Sequence, residues 1–143
     1  MTVAAFSGTR HGMTLGQRAA FALVLRDLMI TELHVGDCVG ADAEATCIAH
    51  AVGVGTICHP PAKDDLRAFT TGHLKVMPAR PYLERDRDMV DAAFVLIAAP
   101  AGPEPDRQRA GGTWYTIRYC RGRGKQCLVI PRGVQVPWNW EGR

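Results

Sequence analysis

The sequence predicts an α/β fold, three layers α/β/α around a mainly parallel sheet of about five strands. Three observations carry that expectation. Short apolar runs alternate along the chain with stretches of helical periodicity, the pattern of successive βαβ units with right-handed crossovers. AFVLIAAP, residues 93–100, is apolar throughout without alternation. Both faces of that strand must therefore be covered, as in the middle of a parallel sheet. Polar glycine-containing loops follow the apolar runs at residues 7–12, 36–42 and 101–113. In such a sheet they gather beyond the strand carboxyl ends, where ligands bind.

The elements follow in order. Residues 3–7, VAAFS, are an apolar run stopped by Gly8, the first strand. Thr14, with Gln17 three residues on, reads as a capping box. It precedes a helix over 15–30, whose Ala19, Ala22, Leu23, Leu25 and Met29 form a wide apolar face. LHVG, 33–36, is the second strand. A helix with small residues on one side spans 41–52, and Gly53 is its C-cap. VGTICH, 54–59, is the third strand, stopped by Pro60 and Pro61. Residues 62–81 are polar and irregular, with a short helical turn expected over 64–69. Connections of that length tend to be functional or mobile. Pro81 suits the first turn of a helix over 82–93. The 93–100 strand comes next, then a helix over 113–121 ended by Gly122 and Gly124, and a last strand, CLVIP, over 127–131. The domain is placed at 1–132 and a tail at 133–143, whose Trp138 and Trp140 could cap a sheet edge, cap the core or serve a homo-oligomer interface.

With 143 residues the chain suffices for one domain with a real core. Its 47% hydrophobic and 22% charged content is ordinary for a globular protein. A net charge of +3 suits anionic ligands, yet is far below the basic density of a dedicated nucleic-acid binder. Five cysteines, with no CxxC, sit mostly in apolar runs. A reducing, cytoplasmic compartment is expected. No signal peptide and no membrane span is expected, since no basic-then-apolar leader or sufficiently long apolar run occurs.

Three loops carry the chemistry. SGTR offers Ser7, Thr9 and Arg10 to an anion; its plainer reading is a βα turn with a surface arginine. GDCVGAD sets Gly36, Asp37, Gly40, Ala41 and Asp42 at a strand end. Asp42 either complements the helix dipole, accepts from a ribose hydroxyl, or holds Arg10. The motif is neither GxGxxG nor a Walker A loop. Gly111, Gly112 and Thr113 directly precede a helix and make the best phosphate cradle in the chain; the plainer reading makes Thr113 an N-cap. No metal site is expected. Cys47 with His50, and His34 with Cys38, have ligand-like spacing but lie in apolar elements, and no second pair completes a set.

The order SGTR, HVGDCVGAD, RPYLERDRDMVDAAFVLIAAP, GGTWYTIRYC and GKQCLVIP resembles the SLOG superfamily. That Rossmann-like group contains the DprA/Smf DNA-processing proteins, the Lonely-guy (LOG) phosphoribohydrolases, molybdenum-cofactor carrier-like proteins and small phage and bacterial members. The resemblance covers roughly residues 3–131. It implies a nucleotide or nucleotide-derivative site built from Gly8, Thr9, Arg10, Gly36, Asp37, Gly40, Ala41, Asp42, Arg85, Gly111, Gly112 and Thr113. Asp86 stands where many small members carry asparagine. The LOG enzymes have a catalytic glutamate soon after the glycine-threonine loop, where this chain has Trp114, Tyr115 and Thr116. Arg85, Asp86 and Asp42 are the remaining candidates for a catalytic role.

The expected function is accordingly binding of a nucleotide-type small molecule, with no cofactor assigned beyond that ligand. Two alternatives stand beside it: a nucleoside monophosphate phosphoribohydrolase, and a DprA-like binder of single-stranded DNA. The second is motivated by Arg107, Arg109, Arg118, Arg121 and Arg123 around the last loop and helix.

Overall fold

The structure is a computed structural model that describes residues 1–105 and 112–140. In chain order the elements are β1 (Val3–Gly8), α1 (Leu15–Asp27), β2 (Glu32–Val35), α2 (Ala41–Ala51), β3 (Gly55–Cys58), β4 (Lys75–Val76), α3 (Tyr82–Ala92), β5 (Val95–Ala99), α4 (Gly112–Gly122) and β6 (Gln126–Val129). The strands form one sheet in the order β4-β3-β2-β1-β5-β6, parallel throughout.

The two-residue period of a strand divides the core in two. Ala4 and Phe6 of β1 and Val95 and Ile97 of β5 point to one face, where they meet Phe21 and Val24 of α1 and Ala45 and Ala49 of α2. Phe6 and Phe21 pack edge to face at 5.0 Å. Ala5, Leu96 and Ala98 point the other way, against Met89 and Val90 of α3 and Ile117 and Cys120 of α4. No residue of β5 is more than 1% exposed. That burial explains its unbroken apolar sequence and bears out the three-layer α/β/α expectation.

The sheet has a sixth strand that the sequence did not announce. Lys75 and Val76 are exposed and only two residues long, too short to show a period. Their place comes from pairing, Lys75 opposite Ile57 and Val76 opposite Cys58. The helical turn expected over 64–69 is a single turn, closed by the Arg67 N–H on the Asp64 carbonyl at 3.0 Å. Arg67 instead forms an antiparallel bridge with Cys38. Pro81 occupies the N-cap position of α3 rather than its first turn. Trp138 and Trp140 pack against the core under α1 and α2, so the tail caps that core. No helix among the described residues is long and apolar enough to cross a membrane.

Thr14 and Gln17 form the capping box at α1, and Gln17 does more. Fully buried, its Nε2 donates to the carbonyls of Pro100 (3.0 Å) and Ile130 (3.1 Å). One amide thereby joins the chain just beyond β5 to the chain just beyond β6. Gln17→Leu should cost about 2–4 kcal/mol in urea unfolding, because two inward carbonyls lose their donor. Thr14→Ala, which removes only a cap, should cost about 1 kcal/mol.

Candidate functional site

From β1 the chain steps outward through β2 and β3 to β4, and α3 then returns it to the other side of β1 as β5. Gly8 and Ala99 therefore end side by side, in register, at the point where strand order reverses. A parallel sheet opens a crevice at such a point. Here it is a cleft of about 610 Å³, lined by the loop after β1, the glycine-proline loop after β5, the first turns of α3 and the start of α4.

The base of the cleft is organised by Arg85, which is 3% exposed. Its guanidinium donates to the Gly36 carbonyl, to the His59 carbonyl at 3.1 Å, to Asp86 Oδ1 at 2.8 Å and to Cys38 Sγ at 3.7 Å. It also lies 4.8 Å from the centre of the Tyr82 ring. Burial alone would lower its pKa; the carboxylates of Asp86 and Asp42 outweigh that and raise it. Gly36 is what admits it: a Cβ there would stand 2.7 Å from Arg85 Nη1 and 2.9 Å from Asp42 Oδ2. The second oxygen of Asp86 lies 3.1 Å from the Thr116 hydroxyl of α4. Asp86 thus links α3 to α4 as well as holding the arginine.

Asp42 opens α2 and faces Arg85, not Arg10. Its Oδ2 accepts the Cys38 N–H at 3.2 Å. Burial pushes its carboxyl up to about 7, against the pull of Arg85 and of the Cys38 N–H. A cleft-lining acid with such a value can hold or release a proton near neutrality. The Cys38 thiol, 3.0 Å from the Tyr82 hydroxyl, is pushed up by burial and by Asp42, so it sits in the cleft as a protonated thiol.

The first loop is tied to the second by its backbone. The Thr9 N–H donates to the Ala99 carbonyl at 3.0 Å, while the Thr9 carbonyl accepts from Gly12 (3.1 Å) and Ala41 (2.9 Å). Its hydroxyl accepts the His11 N–H at 3.1 Å. Gly8 keeps the loops close, since a Cβ there would lie 2.6 Å from that of Ala41. Gly40, at φ +89°, passes so near the Arg10 backbone that a side chain would overlap it. Gly40 and Ala41 stand behind the wall of the cleft, whereas Gly8 lines it. The Arg10 side chain offers that space a charge. It is exposed, it lines the cleft, and among the described residues it has no hydrogen-bond or ion-pair partner.

Gly112 and Thr113 also line the cleft, at the N-terminal end of α4. The first N–H groups of a helix lack intrahelical acceptors and carry its positive dipole end. Trp114 ties this turn to the loop after β5 through Nε1 on the Gly102 carbonyl at 3.3 Å. Gly111, with Arg107 and Arg109, lies outside the described residues.

Asp37 is placed elsewhere. It is fully buried at φ +58° and does not line the cleft. Its carboxylate takes the Arg67 guanidinium at 2.9 Å, and the Thr70 N–H and hydroxyl at 2.9 and 2.5 Å. Burial acts to raise its pKa, and the Thr70 and Arg67 donors outweigh it, holding the carboxyl below its ordinary value. Asp37 is the anchor of the long 62–81 connection, which in turn brings Leu66 to the cleft. Cys58 and His73 also approach Asp37, one ligand atom from each lying within 4.8 Å of the others. Of the spaced pairs in the sequence, Cys47 is exposed. His50 binds the Thr56 hydroxyl at 2.9 Å, and His34 binds His59 at 2.7 Å.

Sequence reasoning missed Tyr82 and Met89 as cleft residues. With Arg85 and Asp86 they fall at i, i+3, i+4 and i+7 of α3, one helical face. That spacing was legible and could have found them.

No protein-family model matches this chain, and no curated protein sequence matches it. Solved structures that share its fold include the following three. The molybdenum cofactor binding protein from the phototrophic bacterium Rippkaea orientalis is 18% identical over 91% of this chain and 76% of its own, with a TM-score of 0.68. The protein TM1055 is 14% identical over 94% and 77%, with a TM-score of 0.64. DNA processing protein A from Helicobacter pylori, known for a single-stranded DNA binding mode, is 20% identical over 91% and 65%, with a TM-score of 0.62. At these identities the likeness is one of fold.

Two outcomes follow from the buried charges. Arg85→Met strands two inward acids and two carbonyls, and should destabilise the protein by about 3–5 kcal/mol in chemical denaturation. Asp42, raised from 3.8 to about 7 on folding, makes stability fall as pH climbs between those values, and the loss is complete above them. His59, lowered from 6.5 to about 4 by burial and by its neighbours His34 and Arg85, adds stability as pH climbs through its own window. Asp42→Asn removes only the first contribution. Its stability relative to the parent should therefore increase between about pH 4 and about pH 7.

Proposed function

We propose that the cleft binds a nucleotide or a nucleotide-derived molecule and holds it without turning it over. One observation carries this reading: Arg10, the N-terminal end of α4 and Asp42 all line the same crevice at the switch point of a parallel sheet. An anionic group would rest on Thr113 and the first N–H groups of α4, with Arg10 closing on it from the rim. Asp42 at the base would accept from a sugar hydroxyl. Arg85 and Asp86 position this base without being free to act, since each is engaged with protein groups.

The fold neighbours accord with a ligand-binding role. One binds molybdenum cofactor and another single-stranded DNA. The DNA reading draws less support from this chain, because Arg118 and Arg121 pair with Glu104, and Arg123 with Asp91.

A second reading rests on Asp42 alone. A carboxyl held at about 7 in a cleft is placed to act as a general acid or base, and an N-glycosidase would need such a group. Thr116 on α4 offers only a hydroxyl, committed toward Asp86 and Gly112.

Calorimetric titration with AMP, ADP-ribose and cyclic ADP-ribose tests the first reading. Binding should weaken about tenfold in Arg10→Ala and in Thr113→Ala, about 1.4 kcal/mol each. The parent's affinity should also rise as Asp42 ionises through about pH 7, and Asp42→Asn should flatten that rise. A panel that fails to bind, or binds the variants equally, refutes it. Free base released from AMP and lost in Asp42→Asn would establish the enzyme instead.

A further inference from the structure

We infer that Asp37, Cys58 and His73 form a binding site for a divalent transition metal of the zinc type, separate from the cleft. A carboxylate oxygen, a thiol sulfur and a ring nitrogen from these residues lie within 4.8 Å of one another. Three separate pieces of chain supply them: the turn after β2, the last residue of β3 and the connection that leads into β4. Asp37 and Cys58 are fully buried and His73 is half-buried, so the site is enclosed on the sheet side and reachable from the histidine side. Neither Cys58 nor His73 lines the cleft.

The donor set selects the class of ion. One sulfur, one nitrogen and one oxygen suit a borderline-soft cation such as Zn²⁺, whereas Mg²⁺ and Ca²⁺ require oxygen donors throughout. Zinc bonds of about 2.0–2.3 Å place tetrahedral ligand atoms roughly 3.3–3.8 Å apart. Contraction by about 1 Å would therefore bring the present cluster to bonding distance.

The surroundings already orient each ligand. One ring nitrogen of His73, Nδ1, meets the Thr56 hydroxyl at 2.8 Å, and that hydroxyl meets His50 Nε2 at 2.9 Å. This fixes the imidazole plane from behind, as the outer partners of metal-bound histidines do. Its other nitrogen, Nε2, faces the Thr70 hydroxyl at 2.9 Å, which itself lies 2.5 Å from Asp37 Oδ1. Thr70 thus stands between two of the ligands, where it would either turn aside for the ion or become its fourth ligand. Arg67 holds Oδ2 of Asp37, and Oδ1 accepts the Thr70 N–H and hydroxyl, so one-oxygen coordination through Oδ1 would take the place of the hydroxyl's hydrogen bond. On binding, the metal replaces the thiol proton of Cys58, which leaves to solvent, and no redox change occurs. The bound ion would clip the 62–81 connection to the ends of β2 and β3.

The test uses the full chain, stripped of metal with a chelator and titrated with Co²⁺ and then Zn²⁺. One equivalent of Co²⁺ should produce the near-ultraviolet charge-transfer band of a cobalt–thiolate bond, and Zn²⁺ should abolish it. The band should vanish in Cys58→Ser, persist in Cys47→Ser, and need at least tenfold more Co²⁺ in His73→Ala. Zn²⁺ should raise the melting temperature of the parent and leave that of His73→Ala unchanged. His73 is half-buried, so its variant carries the test even where Cys58→Ser folds poorly. Absence of the band at stoichiometric Co²⁺, or a band lost in Cys47→Ser, overturns the site.

Discussion

Arg85 is the constraint on which the rest of the site depends. A guanidinium at 3% exposure has given up most of its hydration, a cost of several kcal/mol unless every donor is answered. Here the answers come from four directions: the carbonyl ending β2, the carbonyl beyond β3, the acid beside it on α3, and the thiol after β2. Because those partners belong to different strands, satisfying one side chain fixes the spacing of the β2 and β3 ends against α3. Gly36 follows from this, since any side chain there would occupy the arginine's place. Asp86 extends the same link to α4, and α4 brings Thr113 to the cleft. Among the described residues every buried side-chain nitrogen and oxygen has a hydrogen-bond partner, the condition under which a buried polar network specifies a structure.

Two aspartates five residues apart show how environment divides labour. Asp37 accepts from Arg67 and from two donors on Thr70, and its carboxyl is held below its ordinary value. Asp42 receives one N–H, has Arg85 nearby but bonded elsewhere, and rises to about 7. The first is a fixed negative charge that fastens a connection. The second is an acid poised near neutrality, facing a cleft. Environments that drive like groups apart in pKa are a recognised route to separate roles on one scaffold. The sequence motif GDCVGAD treats the two as equals; the side-chain directions do not.

Much of the fold was legible because it rests on local rules. The unbroken apolar run at β5 marks a strand covered on both faces, and all five residues are buried as that implies. The capping box at Thr14 and Gln17 is local hydrogen bonding and formed as read. β4 was not legible, because two exposed residues carry no period and are held only by pairing with β3. The loops were located correctly, but their residues do different work. Gly8, Gly36, Gly40 and Ala41 are small because other parts of the protein pass close to them. The cluster of Asp37, Cys58 and His73 had no spacing signal, since its members lie 21 and 15 positions apart.

By itself, then, the sequence determined the class of the fold, the order of its main elements and the three loops that gather at the strand ends. These follow from periodicity, capping and glycine placement, all expressed within a few neighbouring residues. Tertiary structure alone decided which side chains of those loops face open space. Arg10 and Asp42 line the cleft, Asp37 turns under the connection, and Arg85 is drawn inward by the carbonyls of two strands. Such directions are set by partners distant in sequence, through burial and charge, and no local pattern encodes them.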